Sequence, residues 1–366
     1  MVKILFVINY YRFGGPSKVI GNIMTSLDKK KYKITLLTLT KGNNEESINL
    51  LKENGIEVIQ CNYPHSMISI IKNYNKIINI INNISPDIIH TNGVLNSMIV
   101  SNNKIDSKKI TTVHSNIYED FISAYGSIKG KMYIRLLLST LKKYDSVVAC
   151  SKSVYNSLTG KVNNLYYVNN GIDSRPVTKS SNVRDELKIP KDATVYIYCG
   201  ALNKNKRIRE LVKMFKNNLK PDEYFIILGR GEFFEEIKKY EDKNILVLGY
   251  RTNINDYLSS SDIYVSYSAS EGFSISVIEA LNNGLLLLLS DIPSHNDCMD
   301  IDNKVYLGEL FNENNFLEKK ELLYTNNKKK DKEKIIEFQN KYLSSNSMAK
   351  GYDNIYCNAM RNGENK

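Results

Sequence analysis

Short apolar runs alternate with amphipathic stretches along most of this sequence, and no other feature narrows its fold as much. "KILFVIN" (3–9), "YKITLLTLT" (32–40), "IEVIQCN" (56–62), "PDIIHTN" (86–92), "KKITTVHSN" (108–116), "SVVACS" (146–151) and "LYYVNNG" (165–171) have strand length and composition. Between them lie stretches with helical period, such as "PSKVIGNIMTSLDKK" (16–30) and "NEESINLLKENG" (44–55). Continuous apolar strands separated by helices predict a doubly wound parallel α/β sheet covered on both faces. After Gly171 the pattern lapses: "IDSRPVTKSSNVRDELKIPKDAT" (172–194) is polar, holds two prolines and reads as a linker. A second series then runs from "TVYIYCG" (194–200) through "YFIILGRG", "ILVLGY" and "IYVSYS" to "LLLLLSD" (285–291). The expected division is a first domain over 1–173, a second over 174–345, and a terminal helix over 346–366. From "NNFLEKKELL" (314–323) onward the residues read as charged helices, and "NNKKKDKEK" (326–334) as a solvated helix face.

At 366 residues the chain exceeds the size at which one core keeps growing, which agrees with two domains. Its longest apolar run, "LLLLLS", is far too short to span a bilayer, and "MVKILFVINYY" lacks the cleavage site of a signal peptide. It is read as the first strand of a cytoplasmic protein. Five scattered cysteines and four scattered histidines form no disulfide framework and no metal cluster, so no metal is expected. The net charge of +11 is lopsided: residues 1–173 carry 21 Lys and Arg against 11 Asp and Glu, whereas 174–366 carry 29 against 28. A basic first half points to an anionic partner or to a solvated lysine-rich surface. With no reading motif or aromatic-basic repeat, nucleic acid is not expected.

Ligands of open α/β sheets bind beyond the carboxyl ends of the strands, where helix N-termini offer unpaired N–H groups. Gly14 and Gly15 follow the first strand and permit close backbone approach, with Pro16 suited to a first helical turn. They do not form a G-x-G-x-x-G fingerprint, which disfavours a nicotinamide cofactor. His114 and His90 both end apolar runs, and position does not rank them. "YCGALNKNKR" places Lys204, Lys206 and Arg207 in the loop after Gly200, where cations suit a departing diphosphate; Gly229 and Gly231 make a G-x-G turn after the next strand. In "SASEGFSISVIEALNNG" (268–284), Glu271 and Glu279 bracket a loop and helix start whose amides, Ser274 to Ser276, suit phosphate oxygens. Glu279 also matches an S-x-x-E capping box with Ser276, and the sequence leaves both readings open.

These stretches, with "FGGPSKV", "VNNGID", "VLGY" and "LSDIPSHND", resemble the retaining glycosyltransferases of family 4, whose Glu-x7-Glu signature matches Glu271 and Glu279. The resemblance covers nearly the whole chain. It implies a GT-B architecture: two facing Rossmann-like domains with a C-terminal helix returning to the first. It further implies a nucleoside diphosphate sugar as donor, a UDP-sugar being favoured, and no cofactor. Glu279 would then hold the ribose hydroxyls and Glu271 the donor-sugar hydroxyls. Backbone at Gly272, Phe273, Ser274, Ile275 and Ser276 would contact sugar and diphosphate, and Lys206 the leaving phosphate. His114 would face the reacting sugar, Gly14 and Gly15 would approach the diphosphate, Gly200, Arg207 and Gly229 would complete the donor loops, and Tyr250 with Arg251 would border the base. The catalytic set it implies is His114, Lys206 and Glu271.

This sequence departs from the family pattern at Ala201, where arginine is common, so that Lys204 or Arg207 must substitute or activity is weakened. Front-face attack, with the leaving phosphate taking the acceptor's proton, is the implied chemistry, and domain closure would exclude water. The acceptor is expected to be a glycan or a lipid-linked molecule of cell-surface polysaccharide or glycolipid synthesis. The basic first domain would meet an anionic membrane from the cytoplasmic side. "SIKGKMYIRLLLSTLKKYD" (127–145) is the amphipathic candidate for that contact, with Met132, Ile134, Leu136, Leu137 and Leu141 among its basic residues, and it reads also as a core helix with a basic outer face. The competing readings are a non-hydrolysing sugar-nucleotide epimerase and a catalytically weakened sugar-nucleotide-binding protein.

Overall fold

A computed structural model describes residues 1–12, 14–103, 105–174, 182–327 and 331–364. The chain forms two compact units, Met1–Asp173 with Ser345–Lys366, and Ser174–Ser344. Unit 1 holds seven strands: β1 (Val2–Ile8), β2 (Tyr32–Thr40), β3 (Glu57–Tyr63), β4 (Ile88–Asn92), β5 (Lys108–Val113), β6 (Ser146–Ala149) and β7 (Leu165–Tyr167). They form one parallel sheet in the order β3-β2-β1-β4-β5-β6-β7. Unit 2 holds β8 (Thr194–Cys199), β9 (Glu223–Leu228), β10 (Ile245–Gly249), β11 (Ile263–Ser266), β12 (Leu286–Ser290) and β13 (Gly308–Phe311), ordered β10-β9-β8-β11-β12-β13 and again parallel. Each sheet reverses its winding once, between β1 and β4 and between β8 and β11. Such a reversal opens a crevice at the carboxyl ends of the two strands. The fold is the two-Rossmann arrangement that the alternation predicts.

The central strands are apolar on both faces because helices cover both. Leu5, Phe6, Leu36 and Ile89 are buried in unit 1, and Tyr196, Ile226, Val265 and Leu288 in unit 2. The helix Ser345–Glu364 completes the core of unit 1, burying Tyr352 and Tyr356 against His90 and Thr112. His90 Nδ1 is bonded to the Tyr356 hydroxyl (2.7 Å) and Nε2 to the Thr112 hydroxyl (2.8 Å). Lys31 Nζ and the Tyr32 hydroxyl both donate to Asp353 Oδ1, at 2.5 and 2.6 Å.

Three expectations change, and one long helical stretch proves to be broken. Strand β13 was not read from "GELF", whose glycine and glutamate break the apolar run at a half-covered edge. The linker reading of 172–194 includes 175–181, outside the described residues, but 182–193 belongs to unit 2: Arg184 donates to the carbonyls of Ser260, Lys191 and Ala193 and to Asp262 Oδ2. Lys320, read as part of a charged surface helix, is fully buried; its ammonium bonds both Glu223 carboxylate oxygens (2.7 and 2.5 Å), and the Tyr196 hydroxyl donates to the same group at 3.0 Å. The helical span Ile117–Leu141 is two helices folded back across Gly126, whose φ of 75° and ψ of 172° leave the helical region. Of the five apolar residues named for membrane contact, Ile134, Leu137 and Leu141 are core, whereas Met132 and Leu136 are exposed.

Removing one partner of the Lys320–Glu223 pair leaves a buried charge, so Lys320→Met lowers stability by about 3–5 kcal/mol, and Lys320→Met with Glu223→Gln recovers much of it; urea denaturation measures both. Burial lowers the pKa of His90 from 6.5 to about 3, with a smaller contribution from His114. Below 6.5 the unfolded chain therefore binds a proton that the folded chain refuses, and stability falls as the pH drops from 6.5 toward 3. His90→Gln is expected to flatten the slope of unfolding midpoint against pH between 7 and 5.

Candidate functional site

In unit 2, β8 and β11 are hydrogen-bonded neighbours at the point where the winding reverses, so the loops that follow them meet. The β8 loop carries Lys206 and the β11 loop carries Glu271, and the Lys206 ammonium donates to Glu271 Oε1 in a largely buried ion pair. The Ser268 hydroxyl donates to that same oxygen at 2.7 Å. Asn205 ties the loops together: its carbonyl accepts from Ala269 N (2.8 Å), and its amide donates to the Ser270 carbonyl (3.0 Å). Gly229 and Gly231 are required by packing. A Cβ on Gly229 would stand 1.8 Å from the Gly200 carbonyl oxygen, and one on Gly231 2.5 Å from that of Leu202. The third loop of the crevice thereby lies directly on the first.

The helix after the β11 loop spans Ile275–Asn282, with Ser274 as N-cap and no side-chain bond to its amides. The first N–H groups of any helix lack intrahelical acceptors and stand at the positive end of its dipole, so this start suits an anion. Ser276 is the second helical residue and Glu279 the fifth. A capping box places its acid at the third position after the cap, so the capping reading of Glu279 does not hold. Glu279 is half-buried, and its charge reaches the end of β8, adding to the burial that raises the Cys199 thiol pKa. Phe273 is buried beneath the helix start. Arg207 leans over the Tyr267 ring, 5.3 Å from its centroid, while Ala201 and Lys204 are exposed. Tyr250 is exposed beyond β10, and Arg251 Nε donates to the Tyr257 hydroxyl at 3.1 Å. These two stand two strand spacings from β8, about 10 Å away along the sheet edge.

In unit 1, Gly14 precedes the helix Gly15–Ser26 with a φ of 153° that favours glycine, and a Cβ there would meet nothing within 4 Å. This helix start also lacks a side-chain cap, and Pro16 occupies its first turn. His114 follows β5 and donates from Nε2 to Asn92 Oδ1 (2.8 Å), at the end of neighbouring β4. Burial lowers its pKa to about 4, so the ring is neutral, and its buried Nδ1 lone pair has no partner among the described residues. The two histidines that position could not rank are now separated: His90 has both nitrogens bonded inside the core, and His114 sits at the carboxyl edge.

Sequence reasoning missed Asn92, Asn205, Ser268 and His295. His295 is buried after β12 and donates from Nδ1 to the Ser290 carbonyl (2.8 Å); Ser290 Oγ donates to the Ser268 carbonyl (2.7 Å). A hydrogen-bonded chain thus runs from His295 to the residue that holds Glu271. Burial lowers the His295 pKa, Glu271 partly offsets this, and Lys206 adds to it. The only available signal for these residues was their place just beyond strand ends. Among the described residues, no group of three or more His, Cys, Asp or Glu side chains is placed to hold a metal ion.

Residues 13–175 match the family profile described as Glycosyltransferase Family 4, and residues 179–341 that of Glycosyl transferases group 1. The O-antigen biosynthesis glycosyltransferase WclY of Escherichia coli is 27% identical over 385 residues, covering 98% of this chain and 99% of its own. The UDP-Gal:alpha-D-GlcNAc-diphosphoundecaprenol alpha-1,3-galactosyltransferase of Escherichia coli is 29% identical over 162 residues, 40% of this chain and 42% of its own. Among solved structures, HepE of Anabaena in complex with UDP-glucose superposes with a TM-score of 0.80 at 15% identity, covering 98% of this chain and 100% of that one. Two family profiles that together span most of the chain, and a fold shared over its full length, show that it belongs to the GT-B glycosyltransferases of the family 4 type.

Proposed function

We propose that this glycosyltransferase moves a hexosyl group, with retention and without a metal, from a UDP-sugar to a glycan or lipid-linked acceptor in cell-surface polysaccharide or glycolipid synthesis. The observation that carries the reading is the meeting of Lys206 and Glu271 beside the uncapped start of Ile275–Asn282. Two relatives support the donor and the pathway class: WclY through O-antigen biosynthesis, and the second relative through UDP-galactose as donor to a diphosphoundecaprenol acceptor.

In this reading a diphosphate at the helix start competes with Glu271 for the Lys206 ammonium. As Lys206 turns to the phosphate, Glu271, still held by Ser268, receives the sugar hydroxyls. Glu279 takes the ribose hydroxyls, and Tyr250 with Arg251 borders the base at the far end of the sheet edge. Arg207 supplies the second cation that Ala201 lacks. Gly14 and Gly15 offer helix amides to the diphosphate, and His114 offers its Nδ1 lone pair to a sugar hydroxyl. The bond from C1 to the phosphate oxygen breaks, the acceptor oxygen bonds C1 on the same face, and the acceptor proton passes to the departing phosphate. Lys206, Arg207 and the helix dipole balance the charge that grows on that phosphate, the work a divalent cation performs elsewhere. The basic first unit brings the enzyme to a lipid-linked acceptor at the inner membrane face.

Thermal-shift measurement with UDP, UDP-glucose, UDP-galactose and UDP-N-acetylglucosamine tests the donor class; no stabilisation by any of them counts against the reading. Glu279→Ala is expected to weaken UDP binding about tenfold or more, as loss of a charged hydrogen-bonding group does. Unchanged affinity removes its ribose role. Lys206→Met is expected to lower kcat about 10²–10³-fold with a smaller change in UDP affinity, the pattern for a group whose bond strengthens as the phosphate departs. Turnover abolished by EDTA, or a product of inverted anomeric configuration, overturns the mechanism.

A further inference from the structure

The helical hairpin Ile117–Leu141 is packed at its base and bare at its tip. Ile117, Ile134 and Leu137 are buried, and Gly130 lies so close to the first helix that a Cβ would stand 2.7 Å from the Phe121 carbonyl oxygen. Phe121, Tyr125 and Tyr133 join the two arms, the last two rings 4.8 Å apart. The hairpin is therefore a braced projection. From Ile122 to Lys129 every residue is exposed. Ile128 is 87% exposed, Met132 56% and Leu136 45%, and their i, i+4, i+8 spacing aligns them on one stripe; Ile122 and Tyr125, on the other arm, are exposed as well.

Water-facing apolar side chains in a row, on an arm held rigid by its own packing, call for an occupant. The charges beside them identify it. Between Phe121 and Leu141 the only charged residues are Lys129, Lys131 and Arg135, all exposed; Glu119 and Asp120 stand at the base of the first arm. Apolar side chains flanked by cations, on a unit with a net charge of +10 over residues 1–173, complement an anionic bilayer, which takes the apolar groups below its headgroups and the cations among its phosphates. A second apolar cluster, Met67, Ile68 and Ile71, follows β3 as the hairpin follows β5, so both leave the carboxyl edge of one parallel sheet. With three strands between, β3 and β5 are about 19 Å apart, giving the sheet edge two separated points of attachment.

We propose that the hairpin tip, with Ile128 and Met132 at its centre, inserts into the headgroup region of anionic phospholipid bilayers and holds the enzyme there. This deepens the membrane part of the reading above by naming the inserting residues and making apolar insertion, beyond charge attraction, part of the attachment.

Charge attraction fades with salt and insertion does not. The full chain is sedimented with vesicles of phosphatidylcholine, with and without phosphatidylglycerol, at low and high salt. The native protein is expected to bind the anionic vesicles and to keep part of that binding at high salt. Ile128→Asp/Met132→Asp is expected to weaken binding at least about tenfold at both salts, with UDP affinity and melting temperature unchanged. Lys129→Ala/Lys131→Ala/Arg135→Ala is expected to lose only the salt-sensitive part. Equal sedimentation of the native and Ile128→Asp/Met132→Asp proteins overturns the proposal, as does failure of the native protein to bind either vesicle. Self-association of the native protein that the double variant abolishes assigns the stripe to a second copy and equally overturns it. UDP binding, measured on the same samples, reports on the donor reading separately from every sedimentation outcome.

Discussion

The pairing of β11 with β8 is the constraint on which the unit 2 site depends. Two strands separated by more than sixty residues become neighbours because the chain reverses its winding there, and the loops that follow them are hydrogen-bonded to each other over the sheet edge. An ammonium on one loop and a carboxylate on the other then meet without either loop having to be long. Asn205 and the close approach of Gly229 to Gly200 fix the remaining freedom, so Lys206 and Glu271 are held by backbone geometry as well as by their mutual attraction. A site built this way is held at its rim by backbone contacts before any ligand arrives.

The sheets were legible because parallel strands covered on both faces are continuous apolar runs, and twelve of the thirteen strands read in that way. Strand β13 did not, since an edge strand with one poor face carries no such run. Loop positions of the residues proposed to bind the donor followed from their place after strands. What the sequence could not supply was partnership. Nothing in "NFLEKKELL" tells that Lys320 is swallowed by the core and its neighbour is not, because the acid that compensates it lies 97 residues away. Nor could periodicity reveal the fold-back at Gly126: a glycine within helical spacing can be a tolerated residue or a turn, and tertiary contact between Gly130 and Phe121 decides it.

The histidines of the two units share a design that charge counting overlooks. Burial disfavours the charged form of His114 and His295, and the side-chain oxygen of Asn92 in one case and the carbonyl of Ser290 in the other fixes which nitrogen carries the proton. Each ring thus has a defined acceptor lone pair that bears no hydrogen bond among the described residues. A neutral acceptor suits a neutral hydroxyl donor.

The last helix belongs to the first unit. Tyr352 and Tyr356 fill the core around His90, so the seven-stranded sheet lacks part of its interior until residues 345–364 have been made. On a ribosome advancing at about 5–20 residues per second, unit 1 waits on the order of ten to thirty seconds for its final piece while all of unit 2 is synthesised. Unit 2, contiguous in sequence, is free to form in that interval, and the N-terminal half of the enzyme is the later of the two to be finished.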